Sequence, residues 1–172
     1  MCEYPESDVN EIIPGLWLGN YKAAYSKEFI DKYNIKNILT IMDTFNDKFK
    51  YNNIKYLTFP LKDNATCELE DIFESTNDFI YNALKNNEKV LVHCKKGHHR
   101  SAAIVAAFLI KHLEVDYMSA ILYINHLRPC ALRRNTCMTN NLFKYHLKIN
   151  NIKQCNKICK QCNNIFYCQC LL

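Results

Sequence analysis

The sequence predicts an α/β fold: a central, mostly parallel sheet with helices on both faces. Three observations predict it. Short strand-like runs alternate with segments of helical periodicity along much of the 172 residues. One run, Lys89-Val90-Leu91-Val92-His93, is an apolar strand that leads straight into a cysteine. Shortly after it, Ala102-Ala103-Ile104-Val105-Ala106-Ala107-Phe108-Leu109-Ile110 reads as a buried helix. A chain of 172 residues fits one domain with a sizeable core.

The elements follow in order. Ile12 to Leu18 reads as one extended stretch. Ser26 to Tyr33 reads as a helix, because serine is a good cap and Phe29 and Ile30 would face inward. Ile35 to Ile41 and Ile54 to Phe59 read as strands. Leu69 to Leu84 places Ile72, Phe73, Phe79, Ile80 and Leu84 at helical spacing. Lys89 to His93 is the central strand, and helices follow over 102–113, 116–127 and 139–149. The folded domain is expected over 8–149, with a Cys- and Asn-rich tail over 150–172. Sheets of this kind bind ligands beyond the carboxyl ends of their strands. The loop after His93 is therefore where a site is expected.

That loop reads His93-Cys94-Lys95-Lys96-Gly97-His98-His99-Arg100-Ser101. A phosphate dianion needs donors on every side, and the backbone N–H groups of a tight loop supply them when the loop curls around it. Gly97 sits mid-loop, where a left-handed backbone is needed. The following helix would point the positive end of its dipole at the anion. Arg100 offers a planar fork for two phosphate oxygens. The same positive surroundings favour a thiolate nucleophile at Cys94. Lys95, Lys96, Gly97, His98, His99 and Arg100 are the expected phosphate-binding set. A buried structural cysteine is the plainer reading of Cys94. The conjunction of Cys94, Gly97, Arg100 and Ser101 between a strand and a helix argues for chemistry instead.

On these residues the chain resembles the dual-specificity protein phosphatases, within the cysteine-dependent protein tyrosine phosphatase superfamily. His93-Cys94-x-x-Gly97-x-x-Arg100-Ser101 matches their signature. Ile13-Pro14-Gly15-Leu16-Trp17-Leu18-Gly19-Asn20 is similar to their first core strand, and Asn140-x-x-Phe143 is similar to the element on their last core helix. The resemblance implies a shallow site that hydrolyses phosphotyrosine and phosphoserine or phosphothreonine in proteins through a phosphocysteine. It also implies a general acid about thirty residues before the cysteine, on the loop after a strand. Pro60-Leu61-Lys62-Asp63-Asn64 follows such a strand, so Asp63 takes that role. Glu68 and Asp71 are rivals that sit in or begin the next helical pattern. The catalytic set is then Cys94, Arg100, Asp63, Ser101 and His93. Ser101 would donate to the departing sulfur, and the His93 ring would buttress the loop. No metal or other cofactor is required.

The loop is also unusually basic, through Lys95, Lys96, His98, His99 and Arg100. Lys95 directly after the cysteine resembles phosphatases of phosphoinositides and inositol pyrophosphates. The alternative substrate is therefore a phosphoinositide or inositol (pyro)phosphate. Those relatives usually carry a threonine after the arginine, where this chain has Ser101. Phosphoprotein is accordingly the first expectation.

The net charge of +5 supports no nucleic-acid partner, and no nucleic-acid motif is present. Met1 to Glu6 is acidic and polar rather than a signal peptide, and no apolar run reaches membrane-spanning length. A thiolate enzyme without a signal peptide is expected in a reducing compartment, the cytoplasm. In the tail, Cys155, Cys159, Cys162, Cys168 and Cys170 form a weak zinc candidate, since one pair has the Cys-x₂-Cys spacing and the other does not. Cys67, just past Asp63, is a candidate disulfide partner for Cys94.

Overall fold

Side chains alternate across a strand, so a strand buried on both faces feeds two cores at once. The computed structural model of this chain is built around one such strand. It describes residues 7–43, 50–62, 69–132 and 136–162; for Thr136 and residues 153–162 it describes the backbone alone. Strand β5 (Lys89–His93) lies between β2 (Leu16–Gly19) and β3 (Ile35–Ile41), parallel to both. Outside β3 lies β4 (Lys55–Phe59), also parallel, and outside β2 lies β1 (Val9–Ile13), antiparallel. The sheet order is β1-β2-β5-β3-β4.

Val90 and Val92 enter the larger core with Leu16, Leu18, Leu39 and Ile41, whereas Leu91 enters a smaller one with Trp17 and Ile38. The larger core is covered by α3 (Glu70–Lys85), α4 (Arg100–His112), α5 (Tyr117–Leu127) and α6 (Thr136–Cys162). The smaller is covered by α1 (Tyr21–Tyr25) and α2 (Lys27–Tyr33), with Trp17 packed edge-on against Phe29 at 5.4 Å. Helices on both faces of a mostly parallel sheet are what the sequence predicts. Every residue from Arg100 to Ile110 is buried, as expected of a helix that is apolar nearly all round. The Ser26 hydroxyl accepts from the Phe29 N–H, so the expected cap of α2 is formed.

Three boundaries differ from the sequence reading. The expected extended stretch Ile12 to Leu18 is two strands, because Gly15 turns the chain at φ 84° and β2 runs back antiparallel to β1. Helix α1 was not expected; it is five residues long, below the span in which periodicity is legible, and rests on the Asn20 cap. The last helix was expected over 139–149 and runs from Thr136 to Cys162. No glycine or proline interrupts that stretch. The change of composition at residue 150 is therefore not an end of secondary structure. Among the described residues, no helix is long and apolar enough to cross a membrane.

Candidate active site

The carboxyl end of β5 delivers His93 and Cys94 into the interior, where they are 0% and 2% exposed. Burial pushes His93 down to about 4, against a backbone hydrogen bond with Cys94 that acts the other way. Its ring is neutral at pH 7. His93 Nε2 and Thr40 Oγ1 share a hydrogen bond of 2.7 Å, which ties the strand end to β3. His93 thus buttresses the base of the loop.

Beyond Cys94 the loop turns its carbonyl oxygens outward. Lys95 O accepts from the Tyr21 N–H at 3.4 Å, and His98 O from the Leu132 N–H at 2.7 Å. Between them, Lys96 O and Gly97 O accept from Arg128 at 3.2 and 2.8 Å. A trans peptide points its N–H opposite to its carbonyl. Four carbonyls held outward therefore set the N–H groups of Lys96, Gly97, His98 and His99 inward, making an anion bowl. The direct check is Gly97, whose N–H donates to Cys94 Sγ at 3.2 Å. Gly97 adopts φ 70°, and an added Cβ there would meet Gly19 O at 2.5 Å. Both conformation and space demand glycine.

Helix α4 starts at the far side of the bowl. The His99 side chain forms no capping bond, so the first-turn N–H groups are not closed by it. Ser101 Oγ donates to Cys94 Sγ at 3.2 Å. The sulfur thus accepts from two directions. Arg100 is 3% exposed, and its Nη1 donates to Leu61 O at 2.6 Å. That bond joins α4 to the chain just before Asp63. Asp63 itself, with Glu68 and Cys67, lies outside the described residues.

Cys94, Gly97, Arg100, Ser101 and His93 are therefore brought together. The side chains of Lys95 and Lys96 are exposed, and those of His98 and His99 are half-buried with their rings 6.1 Å apart. Cys94 and Cys137 are free thiols, while Cys130 is disulfide-bonded. The disulfide at Cys130 departs from a fully reduced set of cysteines. Cys155, Cys159 and Cys162 fall on the far end of α6, but their side chains, like Cys168 and Cys170, lie outside the described residues. Among the described residues, no cluster of His, Cys, Asp or Glu could hold a metal ion.

Sequence reasoning passed over Arg128, Tyr21 and Leu132, which grip the loop from outside. Tyr21 and Leu132 act through backbone N–H groups, which leave no trace in residue type. Arg128 left one faint signal, an arginine at the end of an apolar helix next to Pro129.

The family described as "Dual specificity phosphatase, catalytic domain" matches residues 16–148. A mouse protein named serine/threonine/tyrosine-interacting protein is 31% identical over 149 residues, covering 83% of this chain and 66% of the relative. A zebrafish (Danio rerio) dual specificity protein phosphatase 22-B is 31% identical over 137 residues, covering 80% of this chain and 73% of its own length. The chain thus spans about two thirds of the length of the mouse relative. Among solved structures, a mouse putative dual specificity phosphatase complexed with zinc tungstate superimposes with a TM-score of 0.80 at 24% identity, covering 89% of this chain and 95% of that one.

Proposed function

This chain belongs to the dual specificity phosphatase family, and from that premise we propose that it hydrolyses phosphate monoesters on phosphotyrosine and phosphoserine or phosphothreonine of proteins. The observation that carries the reading is Cys94 Sγ at the floor of the bowl, with the Gly97 N–H and the Ser101 hydroxyl both 3.2 Å away.

The reaction runs in two steps. Cys94 sulfur attacks phosphorus, and the P–O bond to the leaving oxygen breaks as Asp63 gives that oxygen its proton. A phosphocysteine remains. The inward N–H groups and the Arg100 fork hold the three equatorial oxygens, whose charge spreads in the transition state. Water then attacks phosphorus while Asp63 takes its proton, and the S–P bond breaks. Ser101 donates to the sulfur as it leaves with its electron pair. The acid matters most for alkyl esters of serine and threonine, where a positioned proton is worth ~10²–10⁴ in rate. No step needs a metal. A thiolate nucleophile fits a reducing compartment such as the cytoplasm.

Ser101, where the relatives acting on inositol phosphates usually carry threonine, supports a protein substrate over an inositol phosphate. Side-by-side turnover of phosphopeptides and inositol polyphosphates tests that choice. Release of phenol from an aryl phosphate, absent in Cys94→Ser, tests the chemistry. A protein that binds phosphate and releases no phenol would instead be a non-hydrolysing recognition module, and the proposal would fall.

A further inference from the structure

We infer that Arg128 is a positioning residue: its guanidinium fixes two peptides of the phosphate loop from behind, so that their N–H groups face the Cys94 sulfur and the bound oxyanion. The inference rests on the phosphatase reading of the site and says how that site is held open.

Arg128 ends α5 and is 1% exposed. Its Nε donates to Gly97 O at 2.8 Å and its Nη2 to Lys96 O at 3.2 Å. These are the carbonyls of two successive peptides, and the N–H of the first is the one that reaches Cys94 Sγ at 3.2 Å. A line of contact thus runs from guanidinium to carbonyl, through the peptide, to N–H and sulfur. The N–H of the second peptide, on His98, is set inward by the same constraint.

The other edge of the guanidinium faces away from the loop. Its Nη1 donates to Ser7 O and to Asn10 Oδ1, both at 2.8 Å. Arg128 therefore ties the loop to the chain that enters β1. A planar fork of donors can serve four acceptors in this way; a lysine ammonium, with three donors at a single point, cannot.

Two further observations show that the fold is shaped around this contact. An added Cβ on Gly97 would lie 2.9 Å from Arg128 Nη2, so the glycine gives the guanidinium its room. Leu132, which binds the next carbonyl along, sits at φ 55°, an uncommon backbone conformation for leucine. The segment from Arg128 to Leu132 holds three successive loop carbonyls, at the cost of a strained residue.

The test compares wild type, Arg128→Lys and Asn10→Ala by four readouts. They are kcat/KM on an aryl phosphate, inhibition by inorganic phosphate, the pH profile of Cys94 alkylation by iodoacetate, and thermal melting. For folded Arg128→Lys, kcat/KM and phosphate inhibition each weaken roughly 10- to 100-fold, the worth of a hydrogen bond from a charged donor, and the alkylation profile moves to higher pH. Asn10→Ala, which removes one anchor, moves the same readouts in the same direction by roughly threefold to tenfold. A purely structural role lowers the melting temperature and leaves phosphate inhibition and the alkylation profile of the folded protein in place; that result overturns the inference. If Arg128→Lys does not fold, Asn10→Ala decides, and unmoved phosphate inhibition and alkylation overturn it. Alkylation of Cys94 needs no turnover. An inactive wild type would therefore count against the phosphatase reading while the role of Arg128 is still decided.

Discussion

Cys94, Arg100 and Ser101 at the floor of the loop are 2%, 3% and 0% exposed, whereas Lys95 and Lys96, in the same turn of chain, stand in solvent. The floor groups are held by named partners: Gly97 and Ser101 on the sulfur, Leu61 on the guanidinium. Charges in the two places obey different rules. A fixed donor in a dry pocket acts at full strength on developing charge, while an exposed lysine is screened by salt and loses side-chain entropy when it binds. Basic residue count alone would have given both places equal weight. On the proposed reading, reaction belongs to the floor and only weak selection to the rim.

Variants can break that division, and the largest effect belongs to the nucleophile. Cys94→Ser is expected to abolish turnover of an aryl phosphate while still binding phosphate, as followed by titration calorimetry; retained activity would refute the mechanism. Next comes Arg100→Lys, which keeps the charge and loses the fork. A drop in kcat of roughly 10²–10³ is expected, comparable to the loss of one oxyanion donor, and a value near wild type would move the oxyanion site away from Arg100.

The third effect is on stability. His93, ordinarily near 6.5, is held at about 4 by burial. Between those values the unfolded chain binds a proton that the folded chain refuses, so stability falls as pH drops from 6.5 toward 4 and levels off below. The contribution is roughly 3 kcal/mol. Melting of His93→Gln across that window should show a shallower fall than wild type, and equal slopes would rule out His93 as the cause.

Ser101→Ala is expected to lower kcat about tenfold, the worth of one hydrogen bond to a charged group. Because the second step is the one slowed, a pre-steady-state burst of phenol should become visible; a slower burst phase instead would place Ser101 in the first step. The smallest effect belongs to the rim. Lys95→Ala and Lys96→Ala should change kcat/KM on phosphopeptides by less than about threefold at physiological salt. A much larger loss confined to inositol polyphosphates would restore the alternative substrate.

The strands most legible in the sequence were the interior ones. Ile35 to Ile41 and Lys89 to His93 have the bounds expected, because an interior strand is buried on both faces and carries a run of apolar residues. The outer hairpin was harder, since Ile12 to Leu18 is apolar across a reversal that depends on Gly15 alone. The nucleophile, fork and serine could be read from their spacing because all three lie on one continuous stretch between β5 and α4. Arg128 could not, because its contacts span more than a hundred residues to Ser7 and about thirty to Gly97. A buried arginine far along the chain leaves little trace in residue type.

Gly97 lies where a methyl group would strike the backbone of Gly19, itself packed so that its own added carbon would meet Asp8 O at 3.1 Å. A mutational library built across this loop should therefore be lopsided. Positions 95 and 96 will accept wide chemistry with little change in turnover, while position 97 returns only glycine. Redesign of this protein has its freedom in two adjacent residues and its limit in the third.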